Sequence, residues 1–322
     1  MGEFELIARH FARAAPAGGP VVLGVGDDCA LLQPTPGHQL AVSTDMLVEG
    51  RHFFAGAEPE ALGHKALAVN LSDLAAMGAR PLGFTLALAL PAADETWLAP
   101  FARGLFALAD AHHCPLVGGD TTRGPLTLSL TVFGEVRPGR ALRRDAARAG
   151  DELWLSGRTG EARLALALRR GEPWARGDLA AVQDRMDRPT PRLALGQALA
   201  ATEGVRAALD LSDGLLGDLG HILQASGLGA EVDADALPVA PALSALDAEH
   251  RLDCLLAGGD DYELLFTADP SAHAAVLAAG AGAGVAVTRI GRLRAAPGWR
   301  VLDAQGRDLA IRTRGFDHFA DA

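Results

Sequence analysis

The chain has 322 residues, 49% of them hydrophobic, and a formal net charge of −11 at pH 7. This length favours two domains, each large enough to bury its own core. The acidic balance disfavours nucleic acid and anionic membrane surfaces as partners, because phosphate groups require a basic face. The longest apolar run, residues 82–93, is far shorter than the roughly 20 residues that span a bilayer. The N-terminal residues do not resemble a signal peptide, so we expect a cytoplasmic protein.

Cysteine and lysine usage narrows the chemistry further. Cys29, Cys114 and Cys254 form no CxxC pair, which argues against a disulfide framework or a structural zinc site. We predict that all three are buried thiols. Lys65 is the only lysine and does not lie in a GxxxxGK[ST] motif, so the chain has no P-loop.

Short apolar runs alternate with longer amphipathic segments, which is typical of an α/β or α+β protein. The pattern predicts helices over residues 3–14, 59–77, 95–112, 160–170, 192–200, 214–225 and 271–278. It predicts strands over residues 21–26, 39–44, 82–90, 126–136, 152–156, 205–211, 262–267 and 285–290. A stretch rich in Arg, Gly and Pro over residues 137–151 separates two halves. We therefore predict an N-terminal domain of residues 1–138 and a C-terminal α/β domain of residues 139–322.

Aspartates recur where predicted strands end or predicted helices begin. They are Asp27, Asp28, Asp45, Asp73, Asp120, Asp210, Asp213 and Asp260. Any one of them alone more often caps a helix or closes a turn than binds a ligand. Together they favour a site, because the carboxyl ends of strands are where α/β folds bind ligands. Carboxylates with neighbouring Ser and Thr hydroxyls are typical ligands of Mg²⁺.

Two short motifs carry most of this interpretation. Ser43-Thr44-Asp45 is predicted to offer three successive oxygen donors at the end of a strand. Gly118-Gly119-Asp120 would let backbone N–H groups approach a phosphate while the carboxylate holds a metal ion. A tight turn would explain the second motif equally well.

Six segments resemble the thiamine-monophosphate kinase family in their order and approximate spacing. They are GVGDDCA (24–30), STDMLVEGRHF (43–53), NLSDLAAMGA (70–79), GGDTTRG (118–124), LDLSDGL (209–215) and GDDYELLF (259–266). The resemblance extends from Gly24 to Phe319. The GGD and SDG motifs are shared with relatives that make aminoimidazole ribonucleotide or selenophosphate.

The resemblance implies ATP-dependent phosphorylation of thiamine monophosphate to thiamine diphosphate, assisted by several Mg²⁺ ions. It implies a homodimer in which N-terminal strands of both subunits form a shared barrel, with ATP in a cleft between the two domains. The implied metal ligands are Asp27, Ser43, Thr44, Asp45, Asp73, Asp120, Asp210 and Asp213. The implied ATP contacts are Gly119, Asp120, Arg144 and Ser212, and the implied contacts to thiamine monophosphate are His52, Glu263 and Phe316.

Phosphoryl transfer requires in-line positioning and neutralisation of charge on the phosphoryl oxygens. Without a P-loop lysine, carboxylate-bound ions, helix N-termini and an arginine, for which Arg144 is the candidate, must supply both. The acceptor phosphate has a second pKa of about 6 and is already a nucleophile at neutral pH. We therefore predict direct transfer with no residue acting as a general base, and with Asp45 and Asp120 acting through the metal.

Purely structural roles remain open for the three implied contacts to thiamine monophosphate. His52 could be an ordinary polar loop residue, Glu263 a strand-edge charge and Phe316 a packing residue. Two other functions also remain open. One is a different ATP-dependent enzyme of the same aminoimidazole ribonucleotide synthetase-like superfamily, and the other is a non-catalytic sensor of nucleotides or divalent cations.

Overall fold

The computed structural model of the chain describes residues 2–13 and 18–311. The chain divides into two compact units. The first comprises the described residues of Met1–Leu74 and Ala79–Gly139, and the second those of Ala75–Gly78 and Arg140–Ala322. None of the described helices is both long enough and apolar enough to cross a membrane.

The first unit is built on a four-stranded sheet with helices against one face. Its helices are α1 (Glu3–His10), α2 (Pro59–Ala76) and α3 (Glu95–Ala111). Its strands are β1 (Val21–Leu23), β2 (Leu31–Leu32), β3 (Gln39–Val48), β4 (Arg80–Leu90), β5 (Leu116–Arg123) and β6 (Thr127–Val136). The sheet order is β3-β6-β4-β5, in which only β4 and β5 pair in parallel, and β1 pairs with β2 separately.

Two glycines allow α2 and α3 to pack closely. A Cβ atom on Gly104 would lie 1.8 Å from the carbonyl oxygen of Glu60, and one on Gly63 would lie 2.1 Å from that of Phe101. Because no side chain separates the two backbones, the helices lie at close range, and leucines of α2 such as Leu67 and Leu71 are fully buried.

The opposite face of the same sheet is exposed along β3. Leu40, Val42 and Met46 each expose more than half of their surface. Side chains alternate between the two faces along a strand, so Thr44 shares this exposed face, whereas Ser43 and Asp45 are directed towards α2. The sheet of the described residues is open at β3 and β5, and it forms no closed barrel by itself.

The second unit is built on a six-stranded sheet of order β12-β9-β11-β7-β10-β8, antiparallel except between β9 and β12. Its strands are β7 (Glu152–Ser156), β8 (Val205–Asp210), β9 (Gly229–Asp233), β10 (Leu264–Ala268), β11 (Val287–Arg294) and β12 (Gly298–Leu302). Its helices are α4 (Glu161–Arg170), α5 (Gln183–Asp187), α6 (Leu193–Ala201), α7 (Leu215–Ser226), α8 (Ala248–Ala257) and α9 (His273–Gly282). Every residue of β10 is buried, and Phe266 stacks against Trp154 of β7.

The predicted mixture of helices and strands is confirmed, and the predicted strand over residues 152–156 matches β7. The pattern missed β2, β5, β9, β12, α5 and α8, which are short or rich in Gly and polar residues. The predicted strand over 262–267 begins later, at Leu264, because Asp260 and Tyr262 have positive φ angles of 65° and 50°. Cys114 and Cys254 are buried as predicted, but Cys29 is exposed in the turn between β1 and β2, so that prediction was wrong.

Candidate active site

Two carboxylates of the first unit meet where β3 faces α2. The hydroxyl of Ser43 donates a hydrogen bond of 2.5 Å to the Asp73 carboxylate. The backbone N–H of Asp45 donates to the side-chain oxygen of Asn70, at 3.2 Å. Asn70 and Asp73 are three residues apart on α2 and therefore lie on one face of the helix. The amide of Asn70 is oriented by its own bond to the Ala66 carbonyl oxygen, at 3.0 Å.

The charge at this place favours a cation. Burial, and then the negative charge of Asp73, raise the pKa of Asp45 to about 6. A cation beside the two carboxylates would oppose both effects and stabilise their charged forms. Among the described residues, however, no group of three or more His, Cys, Asp or Glu side chains is placed to hold a metal ion. Asp45 and Asp73 can therefore supply only part of a coordination shell.

The three side chains of the Ser43-Thr44-Asp45 motif do not share one face of the sheet. The motif lies in the middle of β3 and not at a strand end, so the prediction of its position was wrong. The side chain of Thr44 lies on the exposed face, where its hydroxyl is 2.8 Å from that of Thr131 on β6. Only Ser43 and Asp45 direct their side chains towards α2.

The second glycine of the GGD motif, Gly119, is required by the packing of two strands. Gly119 lies within β5, and a Cβ atom there would come within 1.9 Å of the Leu86 carbonyl oxygen of β4. Close pairing of the two strands therefore requires glycine, whatever ligand approaches. Asp120 is exposed and pairs in register with Ala87. Asp27 is also exposed, in the turn between β1 and β2, where its carboxylate accepts the N–H of Asp28.

In the second unit, the LSDG and GGDDYE motifs lie side by side beyond the ends of β8 and β10. Leu211 exchanges backbone hydrogen bonds with Glu263 and Tyr262, each at 2.9 Å. The N–H of Asp260 donates to the Ser212 carbonyl oxygen at 2.9 Å. Non-glycine residues with positive φ, as at Asp260 and Tyr262, are uncommon and are concentrated at functional sites. Asp210 ends β8 next to this pair of loops.

A carboxylate that the sequence did not single out holds the first of these loops. Asp218 lies in the first turn of α7, and one of its oxygens accepts the N–H groups of Ser212, Asp213 and Gly214 at 3.0, 3.0 and 3.2 Å. Burial raises the pKa of Asp218 to about 7, against the lowering effect of these three hydrogen bonds. The loop conformation therefore depends on a group that lies outside the predicted ligand set.

Glu263, the last residue of the GGDDYE motif, lies in a buried ion cluster. Arg192 donates two hydrogen bonds to its carboxylate, at 2.7 and 2.5 Å, and Arg185 donates a third at 2.8 Å. The Ser156 hydroxyl donates another, at 2.6 Å. Glu263 has no exposed surface, so a direct contact with a ligand would require these partners to move. A Cβ atom on Gly157 would lie 2.1 Å from a carboxylate oxygen of Glu263, and glycine is required there.

Two of the remaining predicted contacts, Arg144 and His52, lie in turns. Arg144 is exposed on a 3₁₀ turn, Arg144–Ala146, whose first carbonyl oxygen accepts the Ser226 hydroxyl at 2.8 Å. The Nδ1 atom of His52 accepts the Val48 N–H at 3.0 Å, which fixes the ring in the turn after β3. Phe316 lies outside the described residues.

Comparison with known proteins assigns both halves of the chain. Residues 26–136 match the family model of the AIR synthase related protein, N-terminal domain, and residues 148–303 match the model of the C-terminal domain. A thiamine-monophosphate kinase from Salmonella typhimurium is 46% identical over 322 residues, which cover 99% of this chain and 98% of the relative. The chain belongs to the thiamine-monophosphate kinase family. The resemblance seen in the six motifs is thereby confirmed.

Solved structures similar to the chain include other members of the thiamine-monophosphate kinase family. The thiamine-monophosphate kinase of Stenotrophomonas maltophilia K279a has a TM-score of 0.83 and 48% identity, covering 88% of this chain and 92% of that one. AaThiL complexed with AMPPCP and TMP has a TM-score of 0.76 and 30% identity, covering 89% of each chain.

The structure assembles the predicted residues in part. It brings Ser43, Asp45 and Asp73 together in the first unit. It places Asp210, Ser212 and Asp213 on one strand end and loop in the second. Sequence reasoning missed Asp218, Arg185 and Arg192. The only local sequence feature that could have indicated Asp218 was its position five residues after the Asp of the SDG motif. No local sequence feature indicated a role for Arg185 or Arg192.

Proposed function

We propose that the protein transfers the γ-phosphoryl group of ATP to thiamine monophosphate, forming thiamine diphosphate and ADP. One observation carries this proposal, namely similarity to thiamine-monophosphate kinases over 99% of the chain at 46% identity. The AaThiL structure supports the two substrates, because that relative is complexed with TMP and with AMPPCP, an analogue of ATP.

We propose that Mg²⁺ binds at the carboxylates, with Ser43, Asp45 and Asp73 as ligands in the first unit. The donor chemistry fits, since Mg²⁺ prefers hard oxygen ligands. The raised pKa of Asp45 fits as well, because its two causes, burial and then the nearby Asp73 carboxylate, disfavour the charged form that a bound cation would stabilise. The other proposed ligands are Asp27, Asp120, Asp210 and Asp213, whereas Thr44 is not retained as a ligand, because its side chain lies on the opposite face of the sheet. When bound, Mg²⁺ would neutralise charge on the phosphoryl oxygens.

We propose that Gly119, Asp120, Arg144 and Ser212 contact ATP. The guanidinium of Arg144 is exposed to solvent, so it is accessible to a phosphate group of the nucleotide, to which it can donate charge-assisted hydrogen bonds. The Ser212 side chain lies on a loop whose backbone is bonded on both sides, to Asp218 and to Asp260. Such a loop holds its side chain in one place, which lowers the entropic cost of orienting a bound nucleotide.

The acceptor requires no proton removal, because a phosphate monoester is largely a dianion at neutral pH. We therefore propose direct transfer without a phosphoenzyme and without a general base. We assign acceptor recognition to His52, Glu263 and Phe316. For Glu263 we propose that its effect on the acceptor passes through Arg185 and Arg192, because its own carboxylate is enclosed by them.

We propose that the protein is a homodimer and that β3 contributes to a barrel shared by two subunits. The exposed sheet face supports this proposal, since Leu40, Val42 and Met46 present an apolar row on an edge strand. Large exposed apolar rows are uncommon on monomers and mark interaction surfaces.

The test is incubation of the purified protein with Mg²⁺, ATP and thiamine monophosphate, followed by chromatography of the products. We expect equal amounts of thiamine diphosphate and ADP, and neither product with EDTA or with unphosphorylated thiamine as acceptor. ATP binding without thiamine diphosphate formation would contradict the proposed reaction and favour a sensor or another enzyme of the superfamily.

A further inference from the structure

The carboxylate of Asp218 makes an unusual set of contacts. It is the fourth residue of α7, and its side chain is almost completely buried. A single oxygen accepts three successive backbone N–H groups, those of Ser212, Asp213 and Gly214. Burial of a carboxylate is unfavourable unless hydrogen bonds compensate it. The three bonds provide this compensation and fix the backbone of three residues at once.

This arrangement differs from an ordinary helix cap. A Ser or Asp just before a helix normally accepts one of the first N–H groups through its own side chain. Asp247 does this for α8, where its carboxylate accepts the His250 N–H. At α7 the N-cap residue is Gly214 and makes no such bond. Asp218 instead accepts the N–H groups from inside the helix.

The same loop is held on its other side. The carbonyl oxygen of Ser212 accepts the N–H of Asp260, and that of Leu211 accepts the N–H of Tyr262. Glycine at position 259 permits this approach, because a Cβ atom there would lie 2.3 Å from the Ser212 oxygen. The loop therefore has fixed donors and fixed acceptors, and Asp218 is the part supplied by a side chain.

We propose that Asp218 is a positioning residue, which holds Ser212 and Asp213 in the conformation that receives the metal-bound nucleotide. This inference rests on the proposed function, and it adds a residue that touches neither substrate. Loss of the carboxylate frees three adjacent N–H groups and lets the loop sample other conformations. A displacement of about 1 Å in a positioning group can lower turnover about 100-fold.

The test compares Asp218→Ala and Asp218→Asn with the wild-type protein and with Asp247→Ala, which removes a cap at another helix of the same unit. Hydrogen exchange of residues 211–214 reports on the loop, and titration with Mg²⁺ and AMPPCP reports on the nucleotide site. Steady-state kinetics at a temperature where every variant is folded give KM for ATP and for thiamine monophosphate separately.

We expect Asp218→Ala to increase loop exchange at least 10-fold and to weaken AMPPCP binding and kcat/KM for ATP at least 10-fold. KM for thiamine monophosphate should change less than 3-fold. Asp218→Asn keeps one acceptor oxygen, so it should recover part of the loss and keeps the test open if the alanine variant does not fold. Asp247→Ala should match the wild-type protein in all of these measurements.

Unchanged AMPPCP binding in a folded Asp218→Ala or Asp218→Asn variant with fast loop exchange would overturn the positioning role. An equal rise in KM for both substrates would also overturn the positioning role, because it would indicate a general loss of structure. Failure of the wild-type protein to form thiamine diphosphate would instead contradict the proposed function. In that case binding of AMPPCP would still decide whether Asp218 positions a nucleotide site.

Discussion

The Glu263→Ala substitution removes a buried carboxylate that two arginines and a serine share. After the substitution the guanidinium groups of Arg185 and Arg192 have lost their common partner. Their side chains are only 25% and 16% exposed, so water can replace the carboxylate only in part. The variant therefore leaves two positive charges inside the second unit that Glu161, 3.8 Å from Arg185, compensates only in part.

The expected magnitude follows from this burial. Removing one partner of a fully buried ion pair typically costs about 3–5 kcal/mol. Because both arginines retain some exposure, we place the loss in the free energy of unfolding near the lower end, at about 3 kcal/mol. This is a large fraction of the roughly 5–15 kcal/mol that stabilises a typical domain.

Urea unfolding followed by tryptophan fluorescence measures this loss, since Trp154, Trp174 and Trp299 all lie in the second unit. Asp308→Ala is the control, because Asp308 pairs with Arg300 at the surface of the same unit, where water can replace either partner. A Glu263→Ala loss no larger than that of the control would refute the account of the cluster. In the same variant, we expect KM for thiamine monophosphate to rise while ATP binding is retained.

Five further outcomes follow from the structure. Asp45→Asn should abolish product formation while the circular dichroism spectrum remains that of the wild type, and wild-type turnover would remove Asp45 from the metal site. Mg²⁺ binding to the nucleotide-free protein should weaken below pH 6, because the pKa of Asp45 is raised to about 6 and the ion competes with its proton; calorimetric titration at pH 5 and pH 7.5 should give different affinities. In the metal-free protein, the contribution of Asp45 to the free energy of unfolding changes with pH in the opposite direction. A raised carboxyl pKa contributes stability below about pH 4 that is lost as the pH rises through about 6, so Asp45→Asn should flatten the dependence of Tm on pH. Met46→Glu should shift the molar mass in light scattering from dimer to monomer. Gly157→Ala should lower Tm, because the φ of +54° at Gly157 and the close approach of the Glu263 carboxylate both exclude a Cβ atom.

The sequence predicted the residues that meet through local patterns. Asp45 and Asp73 stand in motifs that the family resemblance identified, and the alternation of a strand with the periodicity of a helix is enough to direct them towards each other. The same alternation places Thr44 on the opposite face from Ser43, since both lie within the predicted strand over residues 39–44, and the continuation of β3 to Val48 adds Asp45 to the Ser43 face.

Other features depend on contacts between distant parts of the chain. Arg185 and Arg192 lie 78 and 71 residues before Glu263, and no local pattern links them. The reason for Gly119 is the carbonyl oxygen of Leu86 on the neighbouring strand, which only the pairing of β4 with β5 reveals. The role of Asp218 was hidden for a different cause, since an acid in the first turn of a helix is common and needs no special function.

Alternate residues of β3 face α2 and the exposed side of the sheet. An odd change in the length of the strand therefore exchanges the two faces, whereas an even change does not. Insertion or deletion of one residue between Gln39 and Ser43 would shift the register and move the Ser43 and Asp45 side chains to the exposed face. A change of two residues would preserve the assignment of faces. Protein engineering in this region should therefore tolerate even changes in strand length better than odd ones, and tags or loops belong in the turns that flank the strand.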